Sequence, residues 1–151
     1  MTPSQAASQV FAAFHTKWPL LVGVDGSGAA LVPYSIDNTL KSDSTRSARV
    51  MFTETLSEQQ TLGKLARFEN TGVIEVRLTG PLNEGRGPLD ELAGFVRSIY
   101  ERKRLGARVR DGGVITQAVS IAPLRRDGES RRLWLLSCTA PFTYYEIRPQ
   151  G

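Results

Sequence analysis

The sequence predicts an α+β fold: a single two-layer domain, residues 1–151, in which an antiparallel or mixed β-sheet of about four to six strands carries two main helices on one face. Two stretches with apolar residues at helical spacing are separated and followed by segments that alternate apolar and polar. At 151 residues the chain suits one domain with a genuine core and is too short for two typical domains and a linker.

The stretch that organises the rest runs from Leu65 to Leu105. Leu89, Leu92, Ala93, Val96, Ile99 and Tyr100 form one apolar helical stripe, with Arg97, Ser98, Glu101 and Arg102 largely outside it. Pro88 marks the first turn, where its missing N–H costs nothing, and Asp90 and Glu91 suit the positive end of the helix dipole. Arg102, Lys103 and Arg104 are expected at the negative end, with Gly106 closing the helix in a left-handed conformation. Burying the stripe contributes on the order of 10 kcal/mol gross, an upper bound because an unfolded chain already hides some of that surface.

Residues 3–17 predict the first helix, on Ala7, Val10, Phe11, Phe14 and Trp18, with Pro19 ending it. Residues 20–24 read as a short strand, Asp25-Gly26-Ser27-Gly28 as a turn, and Ala29 to Tyr34 as a second extended piece. The glycines lack the Lys-Ser/Thr and the following helix of a phosphate loop. Ser35 to Ser47 is polar and reads as a long surface loop.

Residues 48–56 alternate, with Ala48, Val50, Phe52, Glu54 and Leu56 on one face. Leu65–Leu78 is a further strand in which Asn70-Thr71-Gly72 suggests a bulge or break. Val114–Ala122 places Ile115, Val119 and Ile121 together. A turn at Arg126-Asp127-Gly128-Glu129 then leads to a return strand, Arg132–Phe142, with Trp134, Leu136, Cys138, Ala140 and Phe142 inward. Trp134, Leu136, Phe142, Val76, Leu92 and Val96 are the expected core.

Net charge is +4 but uneven: residues 1–96 carry −2 and residues 97–151 carry +6. The basic residues gather in Arg97–Arg110 and in Arg125, Arg126, Arg131 and Arg132, which suits a solvated face, an acidic docking partner or a phosphate backbone. No aromatic residues interleave with them, which disfavours single-stranded nucleic acid. The lone Cys138 sits in an apolar run and reads as a core thiol, and the lone His15 has no second ligand at metal spacing. Asp25, Asp37, Asp43 and Glu54 are the carboxylates a hydrolase would have to assemble in space. Nothing in their spacing selects them, and neither a catalytic motif nor a cofactor-binding motif is present, so catalysis and cofactors are not expected. No run approaches the ~18 apolar residues of a membrane span, and no signal-peptide pattern opens the chain, so a soluble intracellular protein is expected.

A resemblance adds function. Trp18-Pro19, Asp37-Asn38, Arg49-Val50-Met51-Phe52, Gln60-Thr61-Leu62-Gly63, Arg67-Phe68 and Gly72-Val73-Ile74-Glu75-Val76 occur in an order that resembles the tail terminator-like (tail completion) proteins of long-tailed bacteriophages. Pro81-Leu82-Asn83-Glu84-Gly85, Val96-Arg97 and Thr139-Ala140-Pro141-Phe142-Thr143-Tyr144-Tyr145 extend the likeness, and the glycine-rich Asp25–Ala30 and the tip Arg125–Arg132 depart from it. The resemblance implies a homohexameric ring on the finished tail tube that stops tube polymerisation and offers a head-tail joining surface. Its implied partners are further copies of the chain, the major tail tube protein, the head-tail connector and DNA in the lumen. Its implied place is the head-proximal end of the virion tail, after assembly in the host cytoplasm.

The ring needs two different patches per subunit, for which the 48–56 edge and the loop before it are candidates. Contact residues are expected among Arg49, Gln60, Arg97, Arg102, Lys103, Arg104, Arg125, Arg126, Arg131 and Arg132. Alternatives are a neighbouring neck or connector protein, a small nucleic-acid-binding module using the basic third, and a hydrolase assembled in three dimensions.

Overall fold

A computed structural model describes residues 1–36, 46–106, 113–128 and 133–149. Helix α1 is Pro3–Val22, followed by β1 (Tyr34–Ile36), β2 (Ser47–Gln59), β3 (Leu65–Pro81), a single 3-10 turn (Leu82–Glu84) and α2 (Gly87–Tyr100). Then come β4 (Arg104–Leu105), β5 (Val114–Thr116), β6 (Ser120–Ile121), β7 (Arg125–Arg126) and β8 (Leu133–Pro149). The fold is α+β. One eight-stranded mixed sheet runs β1-β2-β3-β8-β5-β4, with β6 and β7 also paired to β8.

Strands β3 and β8 pair without a slip from Leu65↔Pro149 to Pro81↔Leu133. Paired residues share a face, so even-numbered positions such as Ile74, Val76, Leu78, Leu136, Cys138 and Phe142 lie in the helix-side core, and odd-numbered ones lie on the opposite, open face. The sheet has more strands than expected because the predicted strand Val114–Ala122 and the following hairpin arm are one edge track cut in three. From Thr116 to Ser120 the track advances four residues while β8 advances three, and the same happens from Ile121 to Arg125. Each slip is a one-residue bulge that reverses which face a position occupies. Ile115 therefore pairs with Thr143 on the open face, Val114 and Thr116 are buried, and Ile121 pairs with Cys138 on the core face.

Helix α2 buries Leu89, Leu92, Ala93, Val96, Ile99 and Tyr100, the stripe read from the sequence. It ends earlier than expected. Glu101 already has extended backbone and Arg102 takes φ 50°, so only Arg97 occupies the last turn, and Gly106 (φ 67°) turns the chain after β4 instead of capping the helix. Helix α1 begins with a capping box, Thr2 and Gln5 each accepting from the other's backbone N–H. It runs through Pro19, against expectation, and absorbs Leu20, Leu21 and Val22, whose sequence suggests a strand. Pro19 lies one turn from the Gly23 cap, so it forfeits a single backbone bond, while Gly23 N–H closes the helix on Pro19 O at 3.0 Å. Ala6, not Ala7, completes its buried face with Val10, Phe14 and Trp18. Tyr100 Oη donates to Val10 O (2.7 Å) and Trp18 Nε1 to Val32 O (3.0 Å), tying both helices into one core.

The expected loop Ser35–Ser47 is structured at both ends: Ser35 belongs to β1, Ser47 opens β2, and both are buried. Residues 37–45 lie outside the described residues. The irregularity expected at Asn70-Thr71-Gly72 sits on the partner strand, because Glu54 faces Gly72 and Leu56 faces Thr71, leaving Thr55 as the extra residue. Gly72 answers a different constraint. A Cβ there would lie 2.1 Å from Thr53 O and 2.6 Å from the Phe142 ring, which stacks on Phe52 at 4.5 Å between centroids.

Two stability outcomes follow, both read from urea unfolding curves. Leu92→Ala should cost about 2–5 kcal/mol, and a change below ~0.5 kcal/mol would remove α2 from the core. Gly72→Ala should cost about 3 kcal/mol, the upper end for overpacking, because one of the colliding atoms is backbone.

Candidate interaction surfaces

Among the described residues, no group of three or more His, Cys, Asp or Glu side chains is placed to hold a metal ion. His15 Nδ1 hydrogen-bonds Tyr34 Oη. Cys138 is 1% exposed, and burial pushes its thiol up to about 12, with the positive charge of Arg97 opposing that rise. The Asp25–Gly28 turn is organised by its own carboxylate. Asp25 Oδ1 accepts from Ser27 N–H (2.8 Å), Ser27 Oγ (2.6 Å) and Ala29 N–H (3.1 Å), and these bonds, the Ser27 hydroxyl's first, hold the carboxyl below its ordinary value. The N–H groups a phosphate would need are therefore directed at an anion the chain already supplies.

Glu54 and Glu146 come together on the helix-side face near the far end of the sheet. Tyr144 Oη donates to Glu54 Oε1 (2.5 Å), Asn70 Nδ2 to Glu146 Oε1 (3.5 Å), Arg148 Nε to Glu146 Oε1 (2.5 Å) and Arg148 Nη2 to Ser57 Oγ (3.1 Å). Burial first, and then the bond to Glu54, push the Tyr144 phenol up, which keeps it a donor. This cluster reads as a structural network that lets polar side chains sit under the sheet.

The basic residues divide by topology instead of gathering. Arg104 pairs with Ile115, which pairs with Thr143, whereas Arg125 pairs with Leu135. Thr143 and Leu135 are eight steps apart on β8, about 26 Å at ~3.3 Å per residue. Arg97 is exposed in the last turn of α2, and Arg102 and Lys103 lead into β4, so these three and Arg104 make one basic edge.

Arg49 and Arg125 belong to another region, on the open face. Arg49 faces Arg77 across β2 and β3, Arg77 faces Ser137 across β3 and β8, and Arg125 lies one pleat along. A cleft of ≈ 560 Å³ there is lined by Arg77, Arg125, Glu75 and Ser137 among others. Arg77 Nε is bonded to Glu75 Oε1 at 2.6 Å. Arg77 was not anticipated, because in an alternating strand it reads as an ordinary outward residue, and only register places it beside Arg49. Arg126 pairs with Trp134 and so lies on the other face from Arg125. Gln60 closes the β2–β3 hairpin through its N–H to Arg67 O (2.7 Å). Arg131 and Arg132 lie outside the described residues.

The far end of the sheet stands clear of helix cover. Residues Thr53–Gln59 of β2 are all exposed, Leu62 at the hairpin tip is 92% exposed, and Leu56, Leu65 and Ile147 are half exposed or more. The Arg67 guanidinium lies 3.9 Å from the Tyr145 ring centroid and that of Arg148 lies 4.2 Å from the Phe68 ring centroid, one on each face of the arm.

No protein-family model and no curated protein matches the chain. Among solved structures, one chain at 12% sequence identity superposes with a TM-score of 0.57 over 95% of this chain and 97% of its own. That likeness shows the fold.

Cys138 should be inert to a thiol reagent at pH 8 while folded and react at once in denaturant, since a thiol held near 12 carries little thiolate at that pH. Rapid labelling of the native protein would place Cys138 outside the core.

Proposed function

We propose that the chain is a structural subunit of a phage virion, of the tail-terminator kind: copies close into a ring on the completed tail tube, stop its growth, and present a joining surface to the head-tail connector. The observation that carries this reading is the uncovered arm. A strand pair that runs beyond its helices and ends in Leu56, Leu62 and Leu65 exposes apolar surface, which suits assembly. A closed ring of identical subunits joins two unlike patches head to tail, and the two sides of this sheet are unlike in both strand and charge. The hexamer, the tube protein, the connector and DNA in the lumen are carried by the family resemblance.

The split of the basic residues weighs against a continuous phosphate track and favours protein docking through the open-face stripe. Deleting the gene from the phage or prophage that encodes it should leave overlong tails without heads, with normal length restored by complementation. Electron microscopy reads the outcome, and normal tails without the protein would overturn the reading. Complementation with Arg77→Ser plus Arg125→Ser should slow head or tube association in a salt-dependent way, while Arg126→Ser on the other face should behave as wild type.

A further inference from the structure

Glu58 of β2 faces Glu69 of β3 directly across the pair, on the open face of the arm. Like charges in that position repel. Neither carboxylate makes a salt bridge or a side-chain hydrogen bond among the described residues, unlike Glu75, Glu84 and Glu146, each of which holds an arginine. Around this acidic pair are Leu56, Leu62, Leu65 and Ile147, four of the seven exposed large hydrophobic residues among the described residues. The arm thus combines an anionic pair that forms no ion pair with an apolar rim, with Arg67 one pleat away over the Tyr145 ring and Lys64 in the connecting loop.

The opposite side of the same sheet has the complementary character. There β4 is the edge, and between it and α1 lies a mostly apolar groove of ≈ 350 Å³ lined by Ala12, Ala13, Thr16, Lys17, Arg104 and Leu105. Exposed Lys103 immediately precedes β4. Leu56 and Arg104 stand at one level of the sheet, through the row Leu56↔Thr71↔Thr143↔Ile115↔Arg104.

We infer that the β2–β3 hairpin of one copy docks against the α1/β4 groove of a second copy, with Leu62 and Leu56 on the apolar floor and Glu58 and Glu69 against Lys17 and Lys103. The contact rests on the ring reading above and names the two patches that meet in it. It joins unlike edges of one sheet, so each copy offers a hairpin on one side and a groove on the other, and the chain of contacts closes or continues. Glu58 and Glu69 set against a second copy of themselves, or Lys17 and Lys103 against theirs, would repel, which favours the unlike pairing and gives the assembly its direction.

The experiment mixes two variants. Glu58→Lys with Glu69→Lys reverses the hairpin, and Lys17→Glu with Lys103→Glu reverses the groove, each checked for unchanged thermal unfolding. In sedimentation velocity the wild type should self-associate, either variant alone should stay monomeric, and an equimolar mixture should recover a species of wild-type mass with more than two subunits. Leu62→Glu, at a residue too exposed to matter for folding, should also be monomeric. Variants that assemble like wild type, or a mixture that stays monomeric, would overturn this contact and leave the ring reading standing. A recovered species that is only a dimer would overturn its head-to-tail direction. A wild type that is monomeric alone and on tail tubes would overturn the ring reading and this contact with it.

Discussion

The unbroken register between β3 and β8 is the constraint on which the rest of the structure depends. Because every pair from Leu65↔Pro149 to Pro81↔Leu133 is in step, a residue's parity on these strands decides whether it meets the helices or the open face. A slip of one residue would turn either Ile74, Val76 and Leu78 of β3 or Leu136 and Phe142 of β8 outward, and bring Glu75 and Arg77 or Ser137 inward, exchanging half of the sheet's apolar face for polar and charged groups. The bulges fall on β2 and on the β5–β6–β7 track, outside this central pair, so irregularity is confined to strands whose partner is already fixed.

Two different sets of forces hold the two ends of this ribbon. At the helix-covered end, Phe14, Trp18, Leu89, Leu92, Val96 and Tyr100 fill the space above Val76, Leu78 and Leu136, and burial supplies the stabilisation. Beyond Phe142 the helix-side face becomes polar: Tyr144, Glu54, Asn70, Glu146 and Arg148 form a hydrogen-bonded network, with arginines laid over Phe68 and Tyr145 on the two faces. Asn70 is fully buried, yet its Oδ1 accepts no hydrogen bond among the described residues, so this end is held by less complete interactions than the core. It is also the end that exposes apolar side chains.

What was legible in the sequence was whatever depends on local period. The six α2 residues, the inward face of β8 and the N-terminal half of β2 followed from spacing alone, because each packs with a single periodicity along its length. Failures occurred where a long-range contact overrules a local signal. Pro19 should stop a helix, but it sits where only one bond is lost and the turn after it, with Leu21 and Val22, still packs on the core. Ile115 should share a face with Ile121, but a bulge between Thr116 and Ser120, set by pairing with β8, intervenes. The surfaces were harder still. Arg49 and Arg125 were visible as charges, whereas their neighbour Arg77 and the Glu58–Glu69 pair acquire meaning only from cross-strand register, which no single strand carries.

Charge shows the same dependence on topology. Read linearly, the chain has an acidic first part and a basic last third. Folded, the last third separates, because β4, through β5, and β7 attach to β8 at levels about 26 Å apart at ~3.3 Å per residue, and residues from the acidic part supply Arg49 and Arg77 to the open face. The outcome is a basic stripe on the sheet, a basic edge along β4, and an acidic pair on the opposite arm. A nucleic acid running over the surface would be served by one continuous track of positive charge. Separate patches of opposite sign on opposite sides of one sheet would instead discriminate among orientations of protein partners, and the pairing proposed above brings a carboxylate pair to a groove lined by Lys17 and Arg104. Assembly with a defined direction is the property such a distribution is suited to give.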